Sequence, residues 1–126
     1  MKTALDKVKE FHTAFGHPVA DKLGFPDSER IVFRFNLIAE EMQELAQAIR
    51  SDKDIVDTAD AMADLVYVVC GAALEFGIPL DKVFDEVHAA NMRKLGVDGK
   101  PIYREDGKIM KPEDWTPPDI KAVLGL

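Results

Sequence analysis

The sequence predicts an all-α protein: a bundle of four main helices with an ordered polar C-terminal tail, assembled as an oligomer. Apolar residues recur at helical spacing up to about residue 95, without a convincing pair of strands. Capping residues flank these apolar stretches. Residues 97–118 contain four prolines and DG turn signals, which are typical of an ordered loop or a small hairpin. We expect residues 1–126 to form a single domain.

The first two predicted helices are amphipathic. The first covers about residues 3–15 and stops at Gly16. The second begins near Asp27 or Ser28, both good N-cap residues, and extends to about Arg50. Its apolar stripe consists of Ile31, Phe35, Ile38, Met42, Leu45 and Ile49.

The third predicted helix covers about residues 54–76 and stops at Gly77, and the fourth extends from Pro79 to Gly96. The third helix is apolar nearly all round, so we expect it to be buried. A four-helix monomer of this size would struggle to cover it, which favours a homodimer or homotetramer. A last helical turn is expected over about residues 119–124.

Charge and cysteine content exclude several functions. The 126 residues include 23 acids and 16 bases, a formal net charge of −7. This disfavours nucleic acid polymers and anionic membranes as partners, because both are bound through Lys and Arg. The single cysteine, Cys70, provides no disulfide framework, and the N-terminal segment lacks the continuous apolar core of a signal peptide. We therefore expect a cytoplasmic protein without membrane attachment.

Part of the acidic surplus lies at the margin of the second helix's apolar stripe. Glu40, Glu41 and Glu44 have no Lys or Arg four residues away, and Glu40 faces Glu44 as a like-charged pair. Such a pair destabilises a helix by about 0.2–0.5 kcal/mol. A solvated acidic face would also explain this cluster if it stood alone.

The third helix makes the acidic pattern more informative. Its charged residues between positions 55 and 76 lie along one side: Asp57, Asp60, Asp64 and Glu75. Because the remaining circumference is apolar, we expect this line to face the protein interior or a cleft, where an unpartnered carboxylate is costly. Clustered carboxylates without thiolates suit Mg²⁺ or Mn²⁺. Asp57 is also explained by the helix dipole, and Glu75 by a structural ion pair or a rim position.

Three residues are candidates for contact with an anionic substrate. Asn91 and Lys94 fall on the apolar side of the fourth helix, where they break the pattern. Arg34 lies two turns before Glu41. The alternatives are that Lys94 snorkels, that Asn91 caps a backbone group, and that Arg34 is a surface residue. The basic, aromatic tail either closes over an anionic ligand or packs on the bundle; it contains Lys100, Tyr103, Arg104, Lys108, Lys111 and Trp115.

Three segments in order carry a family resemblance: LIAEEMQEL, then DTADAMADLVYVV, then FDEVHAANMRKLGVDGKPIYREDGKIMKPEDWTPPDI. Over roughly residues 6–120 the chain resembles the MazG-like nucleotide pyrophosphohydrolases of the all-alpha NTP pyrophosphatase superfamily. The resemblance implies Mg²⁺-dependent hydrolysis of a nucleoside triphosphate between its α and β phosphates. The products would be a nucleoside monophosphate and pyrophosphate.

The resemblance also implies roles for single residues. Glu41 and Glu44 match the E-x-x-E metal ligands, and Asp64 matches the aspartate of the second motif. Glu40 matches the glutamate that activates water. The polar positions that the family places near metal or phosphate are matched by Asn91 and Lys94.

One position departs from the family pattern. The second motif is usually E-x-x-D, but Ala61 stands where its first acid is expected, and Asp60, one turn before Asp64, is the candidate substitute ligand. Two alternative functions therefore stay open. One is a phosphoribosyl-ATP or nucleoside diphosphate hydrolase on the same scaffold. The other is a non-catalytic helical module that binds a nucleotide or a protein.

Overall fold

The computed structural model describes residues 1–126. Its elements are α1 (Ala4–Phe15), α2 (Ser28–Gln47), a π-helical turn (Ala48–Asp52), α3 (Ile55–Phe76), α4 (Leu80–Met92), β1 (Ile102–Tyr103), β2 (Ile109–Met110) and α5 (Ile120–Val123). The predicted all-α fold with four main helices is confirmed. The chain divides into two compact units, Met1–Leu80 and Asp81–Leu126. The single domain and the oligomer stay predictions.

Helix boundaries follow from local capping. The Thr3 hydroxyl accepts from the Asp6 N–H at 3.1 Å and the Asp6 carboxylate accepts from the Thr3 N–H at 3.0 Å, forming a capping box for α1. Gly16 ends α1 in the left-handed region at φ 75°. Asp54 caps the start of α3, and Gly77, at φ 69°, ends it. The predicted ends of these helices are confirmed.

In the first unit, α3 packs against α1 and α2. The C-terminal half of α3 is buried from Cys70 to Glu75, and Val8 of α1 packs with Cys70 in the core. The start of α3 is exposed, with Ile55 at 80% and Val56 at 73%. Within one chain α3 is therefore buried mainly in its C-terminal half, and its exposed apolar start is what we expect of a helix that a monomer of this size would struggle to cover.

The second unit corrects one predicted boundary. The fourth helix ends at Met92 and not at Gly96. Beyond it the Lys94 N–H donates to the Asn91 carbonyl at 3.1 Å, a bond that spans three residues and tightens the chain into a turn. Lys94 therefore lies in this turn and not on the face of the helix. The sequence offers no stop signal here before Gly96.

The C-terminal tail is ordered, as predicted. β1 pairs antiparallel with β2, with Tyr103 opposite Ile109, and this confirms the small hairpin. Trp115 Nε1–H donates to the Ala90 carbonyl of α4 at 2.7 Å. The tail therefore packs on α4 through Trp115, and its closure over an anionic ligand stays a prediction. The short helix α5 confirms the last helical turn.

None of the helices is by itself long and apolar enough to cross a membrane; α3 and α4 meet that test only when they are counted together, by length and composition.

Candidate metal centre

Three carboxylates from two helices come together in the first unit. Glu41 and Glu44 lie three residues apart on one side of α2, and Asp64 lies on α3, which packs against α2. One carboxylate oxygen from each residue lies within 4.8 Å of the other two. The structure therefore joins three of the four predicted metal ligands.

Glu41 is the least satisfied member of this carboxylate cluster. Its Oε2 atom is buried and has no hydrogen-bond partner. Burial raises the pKa of Glu41, and the negative charges of Glu44, Asp64 and Glu40 raise it further. A bound cation would relieve both the missing partner and the mutual repulsion of the carboxylates. Three clustered oxygen donors fit a hard divalent cation such as Mg²⁺ or Mn²⁺.

The fourth expected ligand is not part of the carboxylate cluster. Asp60 is exposed and does not join the three carboxylates. Ala61, which stands in place of the usual first acid of the second motif, is buried and only 5% exposed. The expectation that Asp60 replaces the missing acid is thus not met. Asp60 is one residue before Ala61, so its side chain is rotated by about 100° around the helix axis from that position. The carboxylate cluster has three members.

Glu40 lies beside the carboxylate cluster without belonging to it. Its side chain is exposed, and its charge is one of those that raise the pKa of Glu41. This position leaves Glu40 accessible to water. Its role as a general base stays a prediction.

Arg34 does not occupy the position that the sequence suggested. Its side chain is 5% exposed, and its Nε–H donates to the Glu75 carboxylate. Its Nη2 lies 3.4 Å from Nε2 of His12. Arg34 was expected either to contact substrate or to lie on the surface. Both expectations are wrong, because its guanidinium is buried and already bound to the Glu75 carboxylate. We do not include Arg34 in the proposed substrate site.

Arg34 belongs to a buried polar network that sequence reasoning only partly anticipated. Glu75 has a fully buried side chain and accepts two hydrogen bonds from Arg30, each 2.8 Å long. His12 completes the network through Nδ1, which lies 2.9 Å from the Pro18 carbonyl. The predicted structural ion pair of Glu75 is confirmed, but its partners were missed. The available signal was the spacing of Arg30 and Arg34, which are one turn apart on α2.

The network fixes α2 against α3. Burial raises the pKa of Glu75, but hydrogen bonds from Arg30 and Arg34 and their positive charges outweigh burial, so the pKa lies below its ordinary value. The ionised carboxylate therefore holds two arginines of α2 on a residue of α3. This link sets the relative positions of the helices that carry Glu41 and Asp64.

The remaining predicted substrate residues lie in the second unit. Asn91 is exposed near the end of α4. The Lys94 Nζ lies 5.6 Å from the centroid of the Trp115 ring. Their contact with metal or phosphate stays a prediction.

Comparison with known proteins assigns this helical fold to the pyrophosphohydrolases. The profile of the phosphoribosyl-ATP pyrophosphohydrolase family matches residues 8–91, and the chain belongs to this family. The MazG-like resemblance predicted from the motifs is thereby confirmed.

The proteins that are similar to this chain include one of known structure and one viral protein. A solved structure of a candidate NTP pyrophosphohydrolase from Exiguobacterium sp. 255-15 is 30% identical, with a TM-score of 0.54, and the match covers 96% of this chain and 93% of that one. The uncharacterized protein L479 of Acanthamoeba polyphaga mimivirus is 29% identical over 113 residues. That match covers 86% of this chain but 42% of the viral protein, so the chain spans less than half of that relative. The family and the bacterial structure support a hydrolase of the pyrophosphohydrolase type.

Proposed function

We propose that this chain is a Mg²⁺-dependent nucleoside triphosphate pyrophosphohydrolase. It cleaves an NTP or dNTP between the α and β phosphates and releases a nucleoside monophosphate and pyrophosphate, in a role such as nucleotide-pool house-cleaning. The observation that carries this proposal is the cluster of Glu41, Glu44 and Asp64, in which Oε2 of Glu41 is buried without a partner. The similar bacterial protein, a candidate NTP pyrophosphohydrolase, supports the choice of substrate.

Separate residues are assigned to metal binding, water activation and phosphate contact. Glu41, Glu44 and Asp64 would hold the metal, and its positive charge would offset the negative charge of the phosphates. Glu40 orients a water and accepts its proton, for which its exposed side chain is suited. An amide and an ammonium, from Asn91 and Lys94 of the second unit, contact phosphate oxygens. This last assignment is supported by the family motif alone.

Charge and exposure support the proposed partners. A net charge of −7 suits a small metal-bound nucleotide better than a nucleic acid polymer, because the metal supplies positive charge that the protein lacks. A homodimer or homotetramer would cover the apolar residues exposed along α3, including Ile55 at 80%, Val56 at 73% and Val66 at 53%.

A second candidate substrate is favoured by one finding. The matching family is described as phosphoribosyl-ATP pyrophosphohydrolase. The same carboxylate cluster serves release of pyrophosphate from phosphoribosyl-ATP, since the metal chemistry at the phosphates is shared. The two candidates differ only in what the nucleotide carries on its base.

A product panel tests the proposal. The protein is incubated with Mg²⁺ and each of the common NTPs and dNTPs, and with phosphoribosyl-ATP, and pyrophosphate and orthophosphate are measured separately. We expect pyrophosphate from at least one NTP or dNTP, and loss of it in Glu41→Ala. Orthophosphate in place of pyrophosphate would move the cleavage site, and pyrophosphate from phosphoribosyl-ATP alone would favour the second candidate. If no substrate yields pyrophosphate and the wild type matches Glu41→Ala, a non-catalytic binding module is the better description.

A further inference from the structure

Two lysines of the second unit share the ring of Trp115. Their Nζ atoms lie 5.6 Å (Lys94) and 4.7 Å (Lys111) from the ring centroid. The ring is held in place by the bond from Nε1–H to the carbonyl of Ala90, a residue that is 1% exposed. One fixed aromatic ring therefore gathers two ammonium groups from separate parts of the chain.

These two ammonium groups differ from their basic neighbours in their partners. Arg93 lies 3.7 Å from the Glu86 carboxylate, and Arg104 is paired with Asp106. Neither Lys94 nor Lys111 has a carboxylate within 4.0 Å, although Glu113 and Asp114 follow Lys111 closely in sequence. A ring quadrupole attracts an ammonium only weakly at exposed sites and cannot neutralise its charge. Two like charges thus remain unneutralised on one ring.

Such an arrangement suits an anion that carries several charges. A multivalent anion can contact both ammonium groups at once and remove their mutual repulsion, whereas a monovalent anion satisfies one of them. Phosphate chains have this property, because each phosphoryl group carries charge along a flexible chain. The pairing of the lysines on Trp115 therefore favours a polyphosphate over a simple carboxylate ligand.

We propose that Lys94 and Lys111, held on Trp115, form a polyphosphate-binding site. The polyphosphate that binds there is the triphosphate of the substrate or the pyrophosphate product, and this part of the inference rests on the proposed function. Lys111 is a binding residue that the motifs do not assign, and Trp115 is a positioning residue. The structure distinguishes Lys111 from Lys100 and Lys108, which have no aromatic partner.

The single tryptophan of the chain makes the site directly observable. The full chain is titrated with inorganic tripolyphosphate, without metal or nucleotide, and the fluorescence of Trp115 is followed. We expect a saturable change in emission, weakened about tenfold in Lys111→Ala, since a charge-assisted contact is lost. Lys111→Arg should retain most of the affinity. Lys108→Ala is the matched control, because it removes the same charge from the same unit, and it should change affinity less than about twofold.

A series of phosphate ligands distinguishes the substrate triphosphate from the pyrophosphate product, and both from non-specific binding to a diffuse basic surface. Pyrophosphate and tripolyphosphate should bind much more tightly than orthophosphate, and the tighter of the two identifies product or substrate as the ligand. Equal weakening by Lys111→Ala and Lys108→Ala, or equal affinity for orthophosphate, would overturn the proposal in favour of a diffuse basic surface. An absence of saturable binding would also overturn it.

A second variant tests the positioning role of the ring. Trp115→Phe keeps an aromatic face but removes the bond to Ala90, so binding is followed by calorimetry and folding by circular dichroism. We expect weaker tripolyphosphate binding with an unchanged helical signal. Unchanged affinity would refute the positioning role. Because these assays need no hydrolysis, a failed product panel with intact binding would reject only the proposed function, and lost binding with intact hydrolysis would reject only this inference.

Discussion

Replacement of Gly71 by alanine tests the buried polar network most sharply. Gly71 is an interior residue of α3, and a Cβ there would lie 2.2 Å from Nη1 of Arg34 and 3.1 Å from Nε2 of His12. Arg34 cannot swing into solvent without leaving Glu75, to which its Nε–H donates. The added methyl group must therefore displace the guanidinium or separate the two helices.

The expected cost follows from three contributions. Overpacking costs about 1–3 kcal/mol, and weakening a hydrogen bond between charged groups costs about 1.5–3 kcal/mol. Alanine gains about 1 kcal/mol over glycine in helix propensity. We therefore expect Gly71→Ala to lower the free energy of unfolding by about 1.5–5 kcal/mol, a large share of the stability of a small domain.

Urea unfolding followed by circular dichroism measures this change. The control is the same substitution in an Arg34→Lys background, where the narrower side chain leaves room for the methyl group. There Gly71→Ala should cost clearly less, and the difference reports the coupling of the two positions. A neutral or stabilising effect of Gly71→Ala in the wild-type background would refute the reasoning, since it would mean that Arg34 does not pack over Gly71.

Three further predictions concern other parts of the first unit. The folded-state pKa of Glu75 lies below its ordinary value of about 4.5, so the ionised carboxylate stabilises the fold above that pH, and this effect is lost as the pH falls through the folded-state pKa. The stability advantage of the wild type over Glu75→Gln, measured by urea unfolding, should therefore shrink below about pH 4.5. A difference that does not depend on pH would contradict the ion pair. Gly77→Ala should lower the free energy of unfolding by at least about 1 kcal/mol, because a Cβ would lie 2.3 Å from the Lys22 carbonyl oxygen and the backbone is left-handed at φ 69°. An unchanged urea midpoint would argue against this close approach. Glu41→Gln should raise the thermal midpoint of the metal-free protein, since it removes a charge beside Glu44 and Asp64. We expect Mn²⁺ to raise the midpoint of the wild type and not that of Glu41→Gln, and an equal rise in both proteins would remove Glu41 from the metal site.

The sequence predicted those features that depend on local chemistry. Asp54 and Gly77 bound α3 because a side-chain cap and a left-handed glycine act on their own helix. Glu41 and Glu44 were recognised as a pair because helical spacing places them on one side of α2. Their meeting with Asp64 was implied by the family resemblance and by the acidic line on the third helix.

The features that were missed depend on distant partners. Arg34 looked like a substrate or surface residue because its partner, Glu75, is 41 positions away along the chain. Helical periodicity predicts which side of a helix is apolar, but it does not predict which carboxylate of a neighbouring helix will contact that side.

The most direct test of the metal-dependent site is the rate of pyrophosphate release as a function of added Mg²⁺, with the best nucleoside triphosphate of the panel as substrate. Glu41→Gln is compared with Glu105→Gln, an exposed acid of the second unit outside the carboxylate cluster. We predict that the wild type and Glu105→Gln release pyrophosphate with the same saturable dependence on Mg²⁺, and that Glu41→Gln is slower by about 100-fold or more, since it replaces a metal ligand. Equal rates in all three proteins, or release that does not depend on added metal, would contradict the account.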